Sequence, residues 1–146
     1  YLLNMAKIFE DFVTIALADA FKPFGGASKF QYATFLDEEE AIEVRPDLVW
    51  LREGVPSVVV DAKYKAEKPS GYPNADYYQL LAYCTVLGLE RGHLVYAKGN
   101  EEAWTHRVAG TTTRLIAHTL DLQKKPDRIL ADVAALAERF AADAPA

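Results

Sequence analysis

The chain has 146 residues, of which 51% are hydrophobic and one is a cysteine, and its formal net charge is −5. This length suits a single domain spanning residues 1–146, and no apolar run approaches the ~18 residues of a membrane span. Because Cys84 has no second cysteine to pair with, we expect no internal disulfide, a reducing compartment and a cytoplasmic location without a membrane anchor. The acidic balance also argues against a nucleic-acid binder with an extended basic face.

Residues 2–21 predict an amphipathic helix, because their apolar side chains recur at three- and four-residue spacing. Pro23 and the Gly25-Gly26 pair then end it. Glu10 lies beside the apolar stripe, where it is either an ordinary edge carboxylate or a side chain directed across a sheet at a metal ion. The chain opens without a methionine, which we interpret as a fragment of a longer protein.

Alternating apolar residues predict a strand over residues 28–36, and a second strand region over 42–51. The four acids at 37–40 between them are typical of a solvated turn, since consecutive side chains diverge. Pro46 falls inside the second region and lacks an N–H. We therefore expect a bulge or an edge position there, with a kink that re-aims the neighbouring Asp47.

Residues 45–65 are the most informative stretch. Two apolar runs, 48–51 and 57–60, flank a turn containing Gly54 and Pro56, which predicts a hairpin of buried strands. The second run continues into Asp61 and Lys63, whose side chains share one strand face because they are two residues apart. If Asp47 reaches the same sheet end across the hairpin, two carboxylates and an ammonium converge there, which favours a Mg²⁺ site with a cationic helper.

A loop with several lysines at 64–72 is either an ordinary surface loop or one that closes over a phosphate backbone. Residues 74–87 then predict a helix that ends at Gly88. Gln79 and Tyr83 are four residues apart and therefore lie on one face of it. Without further context, this pair is equally typical of a structural contact.

The remaining pattern predicts strands at 92–97, 103–108 and 111–122, a turn at 98–100, and a closing helix at 127–142 with Pro126 near its first position. The histidines at 93, 106 and 118 are far apart in sequence, without a metal-ligand spacing such as HExxH, and we interpret them as structural or surface residues.

In this order, Pro46-Asp47, Asp61-Ala62-Lys63 and Gln79 with Tyr83 resemble the motifs of the PD-(D/E)xK nuclease superfamily in its RecB-like branch. Longer segments are similar to the McrC family, the nuclease subunit of a modified-cytosine restriction system. They are FEDFV (9–13), RPDLV (45–49), VDAKYK (60–65), NADYYQLLAY (74–83), GHLVY (92–96) and LDL (120–122). The resemblance extends from residue 4 to about residue 136 and covers only the C-terminal nuclease part of such a subunit.

The resemblance implies an α/β, restriction-endonuclease-like fold with a mixed central β-sheet flanked by helices. It also implies a Mg²⁺ ion, replaceable by Mn²⁺, whose ligands would be Asp47, Asp61, the Ala62 carbonyl and Glu10. Lys63 would orient or deprotonate the attacking water or stabilise developing negative charge, and Gln79 and Tyr83 would position the carboxylates, the lysine or the substrate phosphate. The implied catalytic residues are Asp47, Asp61, Lys63, Glu10, Gln79 and Tyr83.

The implied function is Mg²⁺-dependent hydrolysis of DNA by an endonuclease domain. The implied partner is a McrB-type AAA+ GTPase motor, engaged through an N-terminal part that this sequence lacks. Two alternatives stay open: a catalytically idle copy that serves as a scaffold or DNA-holding module, and a RecB-like nuclease fused to a helicase. None of the implied site residues reads base identity, because phosphate contacts carry no sequence information.

Overall fold

The computed structural model describes residues 4–64, 74–97 and 104–146. The elements, in chain order, are α1 (Met5–Phe21), a short 3₁₀ helix (Lys22–Phe24), β1 (Ala27–Phe30), β2 (Thr34–Phe35), β3 (Glu43–Val44), β4 (Leu48–Arg52), β5 (Val55–Lys63), α2 (Asn74–Leu87), β6 (Arg91–Tyr96), β7 (Trp104–Arg107), β8 (Arg114–Thr119) and α3 (Pro126–Asp143). No helix in this described part is both long and apolar enough to cross a membrane.

Six strands form one mixed sheet in the order β1-β4-β5-β6-β8-β7. β5, β6 and β8 run parallel to one another, whereas β1, β4 and β7 pair with their neighbours in the antiparallel sense. β2 and β3 form a separate two-stranded sheet. The mixed central sheet flanked by helices, which the sequence predicts, is therefore confirmed.

The two faces of the sheet are covered by different helices. α1 and α3 pack on one face, where Leu48, Val58 and Val60 point. α2 covers the other face, where Val49 and Val59 point. Because both faces are covered, β5 is an almost continuous apolar run rather than an alternating one. Successive side chains along β4 and β5 point to opposite faces of the sheet, and this alternation fixes the face to which each polar residue at the strand ends points.

The prediction of one continuous strand over 28–36 is wrong, because the segment forms two separate strands. β1 pairs with β4 in the large sheet, β2 pairs with β3 in the small one, and Gln31 lies between them with a left-handed backbone (φ 49°). A residue with positive φ cannot continue an extended strand, so the chain turns at that point.

The strand region predicted over 42–51 is likewise two strands. Pro46 lies between β3 and β4 rather than inside a strand, and the irregularity in the β4–β5 pairing falls between Trp50 and Leu51, away from Asp47. The expected bulge beside Asp47 is therefore wrong, and the chain instead passes there from the small sheet to the large one. The strand predicted over 111–122 is shorter than expected, because residues 109–112 form a turn.

The predicted helices agree with α1, α2 and α3 to within a few residues. Asn4 caps α1, since its Oδ1 accepts a hydrogen bond from the Lys7 N–H at 3.1 Å. The first residues of the helix predicted from residue 2, the turn at 98–100 and all of the loop at 64–72 except Tyr64 lie outside the described residues.

Candidate active site

Asp47 and Asp61 meet where β4 begins and β5 approaches its end. Leu48 pairs with Val60, so the two acids are the next residues along the hairpin. The Asp47 N–H donates to Asp61 Oδ1 at 3.0 Å, and the Ala62 N–H donates to Asp47 Oδ2 at 2.9 Å. These backbone bonds fix both carboxylates, whose residues are only 7% and 2% exposed.

The two acids and Lys63 share the sheet face that α2 covers. Val49 and Val59 belong to the cluster packed under α2, and alternation places Asp47, Asp61 and Lys63 on the same side. The Lys63 ammonium lies 2.9 Å from Asp61 Oδ2. The acid and lysine residues therefore converge on one face at one end of the sheet, as the spacing of the motifs predicts.

The charge arrangement at Asp47 is unfavourable for two ionised carboxylates. Burial, the charge of Asp61 and, more weakly, the charge of Glu10 raise the pKa of Asp47 to about 8, although the Ala62 N–H favours its ionised form. Two buried acids side by side with one cationic partner leave excess negative charge in a poorly solvated place. A positive ion bound there would relieve it.

Lys63 is held from two sides. Its ammonium pairs with Asp61 and also donates to Gln79 Oε1 at 2.8 Å, and the side chain is 24% exposed. Burial opposes the charged form, but the attraction of Asp61, its hydrogen bond and further acids nearby outweigh that effect. The pKa of Lys63 is therefore raised. Gln79 thus fixes the lysine, as the resemblance implies for a residue on this helix.

Glu10 reaches the site from the opposite layer, because α1 packs on the other face of the sheet. Glu10 is linked to Asp47 through the side chain of Gln31. The Gln31 Nε2 group donates to Glu10 Oε2 at 2.8 Å and to Asp47 Oδ1 at 3.2 Å. The Gln31 amide therefore joins Glu10 to Asp47.

Tyr83 is buried beside these acids but contacts the backbone. Its hydroxyl donates to the Arg45 carbonyl at 3.5 Å, just before the Pro46-Asp47 dipeptide. Burial and then the charges of Asp61 and Asp47 raise the pKa of Tyr83 well above its ordinary value, so it remains a neutral donor. This hydrogen bond supports the backbone that leads into Asp47 rather than the lysine or a carboxylate.

Sequence reasoning missed Gln31 and Asp76. Gln31 lies in what the pattern predicts as an ordinary strand. Asp76, only 7% exposed, accepts a hydrogen bond from the Tyr96 hydroxyl at 3.0 Å, which ties the start of α2 to the end of β6. An acid in the first turn of a helix is commonly read as a partner of the helix dipole, so only its burial reveals this second role.

The donor set fits a hard divalent cation with a small number of protein ligands. No group of three His, Cys, Asp or Glu residues within 4–64, 74–97 and 104–146 is arranged to hold a metal ion. Mg²⁺, however, is commonly bound by one or two carboxylates and completed by waters. The N–H and C=O of a strand residue face the same edge, so the Ala62 carbonyl faces Asp47 as its N–H does.

Comparisons with known proteins identify a family and a similar fold. A family model described as "McrBC 5-methylcytosine restriction system component" matches residues 1–97. Among solved structures, the fold is similar to a chain in a half-complex from the tetradecameric assembly of Thermococcus gammatolerans McrB AAA+ hexamers with bound McrC. The TM-score is 0.75 at 16% identity, and the match covers 96% of this chain and 34% of that one. No curated protein matches.

Proposed function

The chain belongs to the family of McrBC 5-methylcytosine restriction system components, and we propose that it is the Mg²⁺-dependent DNA endonuclease domain of a McrC-type subunit. The family assignment supports a role as a nuclease component in general. The chain spans about a third of the solved chain that it resembles. The activity of the whole subunit therefore enters here as a proposal.

One observation supports the proposal most directly: the backbone N–H of one buried acid donates to the carboxylate of the other, and both acids lie beside a lysine that Gln79 of α2 holds. A purely structural core has little use for two adjacent acids with a single cation, because burial and then the charge of Asp61 raise the pKa of Asp47 to about 8. A buried acid with a strongly raised pKa, next to a second acid and a lysine, is typical of catalytic sites.

In this proposal, Asp47, Asp61 and the Ala62 carbonyl hold the divalent ion, and Glu10 assists through a second ion or a bound water. The ion would supply an activated water and neutralise charge on the phosphoryl oxygens. The PD-(D/E)xK assignment rests on this spacing of acids and lysine, on a β-hairpin followed by a helix, and on the family.

The chain's own residues would then act as follows. Asp61 holds the Lys63 ammonium at 2.9 Å and Gln79 holds it from the helix side, so the lysine is pre-positioned. From there, Lys63 orients the attacking water or stabilises negative charge as it develops on the phosphate. Tyr83 secures the backbone ahead of Asp47 by its bond to Arg45.

We further propose a McrB-type AAA+ GTPase as the partner, bound through a part of the subunit outside these 146 residues. The structural neighbour is an assembly of McrB hexamers with bound McrC. The proposed roles of the six site residues concern the ion and the phosphate, which carry no sequence information, so the choice of modified cytosine would also come from outside this domain.

The proposal is tested by cleavage of DNA that contains 5-methylcytosine, with Mg²⁺, GTP and a McrB-type partner. We expect Asp61→Ala to abolish cleavage while circular dichroism shows a folded protein. The matched control is Asp19→Ala, which removes an acid that is 77% exposed and paired only with Lys22 on the surface of α1, and it should cleave as the wild type does. Undiminished cleavage by Asp61→Ala would reject the proposal.

A further inference from the structure

Gln31 is the only residue in the described site whose side chain contacts carboxylates from both layers of the fold. One amide nitrogen donates to Glu10 Oε2 at 2.8 Å and to Asp47 Oδ1 at 3.2 Å. An amide group has two hydrogens, so it can serve both acceptors at once. The distance between Glu10 Oε2 and Asp47 Oδ1 therefore cannot exceed the sum of these two hydrogen-bond lengths.

The backbone of Gln31 is anchored to the same acid. Phe30 pairs with Leu48, and the ladder continues by one bond beyond that pair, from the Gln31 N–H to the Asp47 carbonyl at 3.0 Å. Gln31 then takes a left-handed conformation, φ 49°, that a residue with a long side chain seldom adopts. Strained positions of this kind concentrate at functional sites.

Glu10 needs such an anchor, because the Lys7 ammonium draws its carboxylate away from the acids. The Lys7 ammonium lies 3.7 Å from Glu10 Oε2, on the surface of α1, and 2.9 Å from Asp11 Oδ1. Fixing a glutamate side chain costs rotamer entropy. Without the Gln31 amide, Glu10 would be free to turn toward Lys7 and water.

We propose that Gln31 is a positioning residue that fixes the Glu10 carboxylate beside Asp47 and thereby strengthens divalent-ion binding at the site. The inference rests on the proposed function, since it assigns Gln31 to the same ion. Residues that hydrogen-bond to metal-binding carboxylates orient them, and their loss typically weakens metal affinity by about 10–100-fold.

The test is Mn²⁺ binding measured by calorimetry on wild type, Gln31→Asn, Glu10→Gln and the double variant. Asparagine accepts the left-handed backbone but is one methylene too short to span both acids. We expect Gln31→Asn to weaken Mn²⁺ binding about tenfold, and the double variant to bind no more weakly than Glu10→Gln alone. Gln123→Asn, a change at an exposed glutamine after β8, is the matched control and should bind as the wild type does.

A second readout separates positioning from a merely structural role. In metal-free buffer, the unfolding midpoint of Gln31→Asn should be unchanged or higher, because the backbone strain is relieved. Unaltered Mn²⁺ affinity in Gln31→Asn, additive losses in the double variant, or a loss of affinity that comes with a lower unfolding midpoint would each overturn the inference and leave the proposed function standing. A wild-type protein that binds no Mn²⁺ would overturn both.

Discussion

The backbone N–H of Asp47 donates a 3.0 Å hydrogen bond to Oδ1 of Asp61, so the two buried acids are coupled through the hairpin itself. Neither carboxylate depends on a flexible loop for its place. β4 and β5 are interior strands of the sheet, and helices cover both of its faces. The site is therefore preformed by packing.

Replacing Asp61 with asparagine tests the coupling of ion binding to stability. Asparagine keeps an oxygen for the Asp47 N–H, so the metal-free fold should survive. A ligand that binds only the native state raises the unfolding midpoint. We expect Mn²⁺ to raise the midpoint of the wild type and to leave that of Asp61→Asn unchanged, as thermal unfolding would show. An equal Mn²⁺ shift in both proteins would contradict the assignment of Asp61.

Replacing Lys63 with methionine separates ion binding from chemistry. The ammonium lies 2.9 Å from Asp61 Oδ2 and competes with a bound cation for the same charge. Lys63→Met should therefore bind Mn²⁺ at least as tightly as the wild type, while DNA cleavage falls by about 10²–10⁴-fold. Calorimetry measures the Mn²⁺ affinity, and a DNA cleavage assay measures the activity.

The matched control for that variant is Lys124→Met, which removes an exposed lysine paired with Asp132 at 2.9 Å. It should change neither ion affinity nor cleavage, because exposed pairs contribute little. Weaker Mn²⁺ binding in Lys63→Met would mean that the lysine supports the ion rather than the reaction.

Gly92 sets how closely α2, which carries Gln79, approaches β6. A Cβ at this position would lie 2.5 Å from Cys84 Sγ and 2.9 Å from Leu80 Cδ1. Gly92→Ala should lower the free energy of unfolding by about 1–3 kcal/mol through overpacking. Urea unfolding measures the loss, and adding Cys84→Ala, which makes room, should recover part of it. A double variant no more stable than Gly92→Ala would argue against this explanation.

Acid should weaken the fold through the pair of His93 and His118. His93 Nδ1 and His118 Nε2 lie 3.0 Å apart under Phe140, and both residues are 3% exposed. Burial, with added repulsion from Arg139, lowers the pKa of His118 to about 4, and burial lowers that of His93 well below its ordinary value. These histidines fold in the neutral form and must gain protons on unfolding.

The direction of the pH effect follows from the lower pKa of these histidines in the folded state than in the unfolded state. Stability from the pair is fully present above the unfolded pKa of about 6.5 and is lost as the pH falls toward 4. At pH 5, His118 alone should cost on the order of 2 kcal/mol relative to pH 7.5. His118→Gln should show a correspondingly flatter pH dependence in urea unfolding. Identical curves for wild type and His118→Gln would contradict the prediction.

The elements that the sequence predicts best are those with a strong period or a continuous apolar run. The hairpin of β4 and β5 and the helices α2 and α3 are at the expected positions, because their burial follows directly from the apolar pattern. The convergence of Asp47, Asp61 and Lys63 could also be predicted, since strand alternation fixes the face of each side chain.

The parts that sequence reasoning missed depend on single backbone conformations or on tertiary contacts. The alternation of residues 28–36 gives no sign that Gln31 turns the chain with φ 49°, and that turn both splits the strand and brings the amide to Glu10. The route by which Glu10 reaches the acids from the other layer likewise follows only from the packing of α1.

The central claim is that Asp47 and Asp61 hold a divalent cation beside Lys63. The most direct test is a crystal soaked in Mn²⁺ and measured for anomalous scattering. We predict a peak within direct ligand distance of both carboxylates and on the side of the Ala62 carbonyl. Crystals that show Mn²⁺ elsewhere, with no peak between Asp47 and Asp61, would contradict the account.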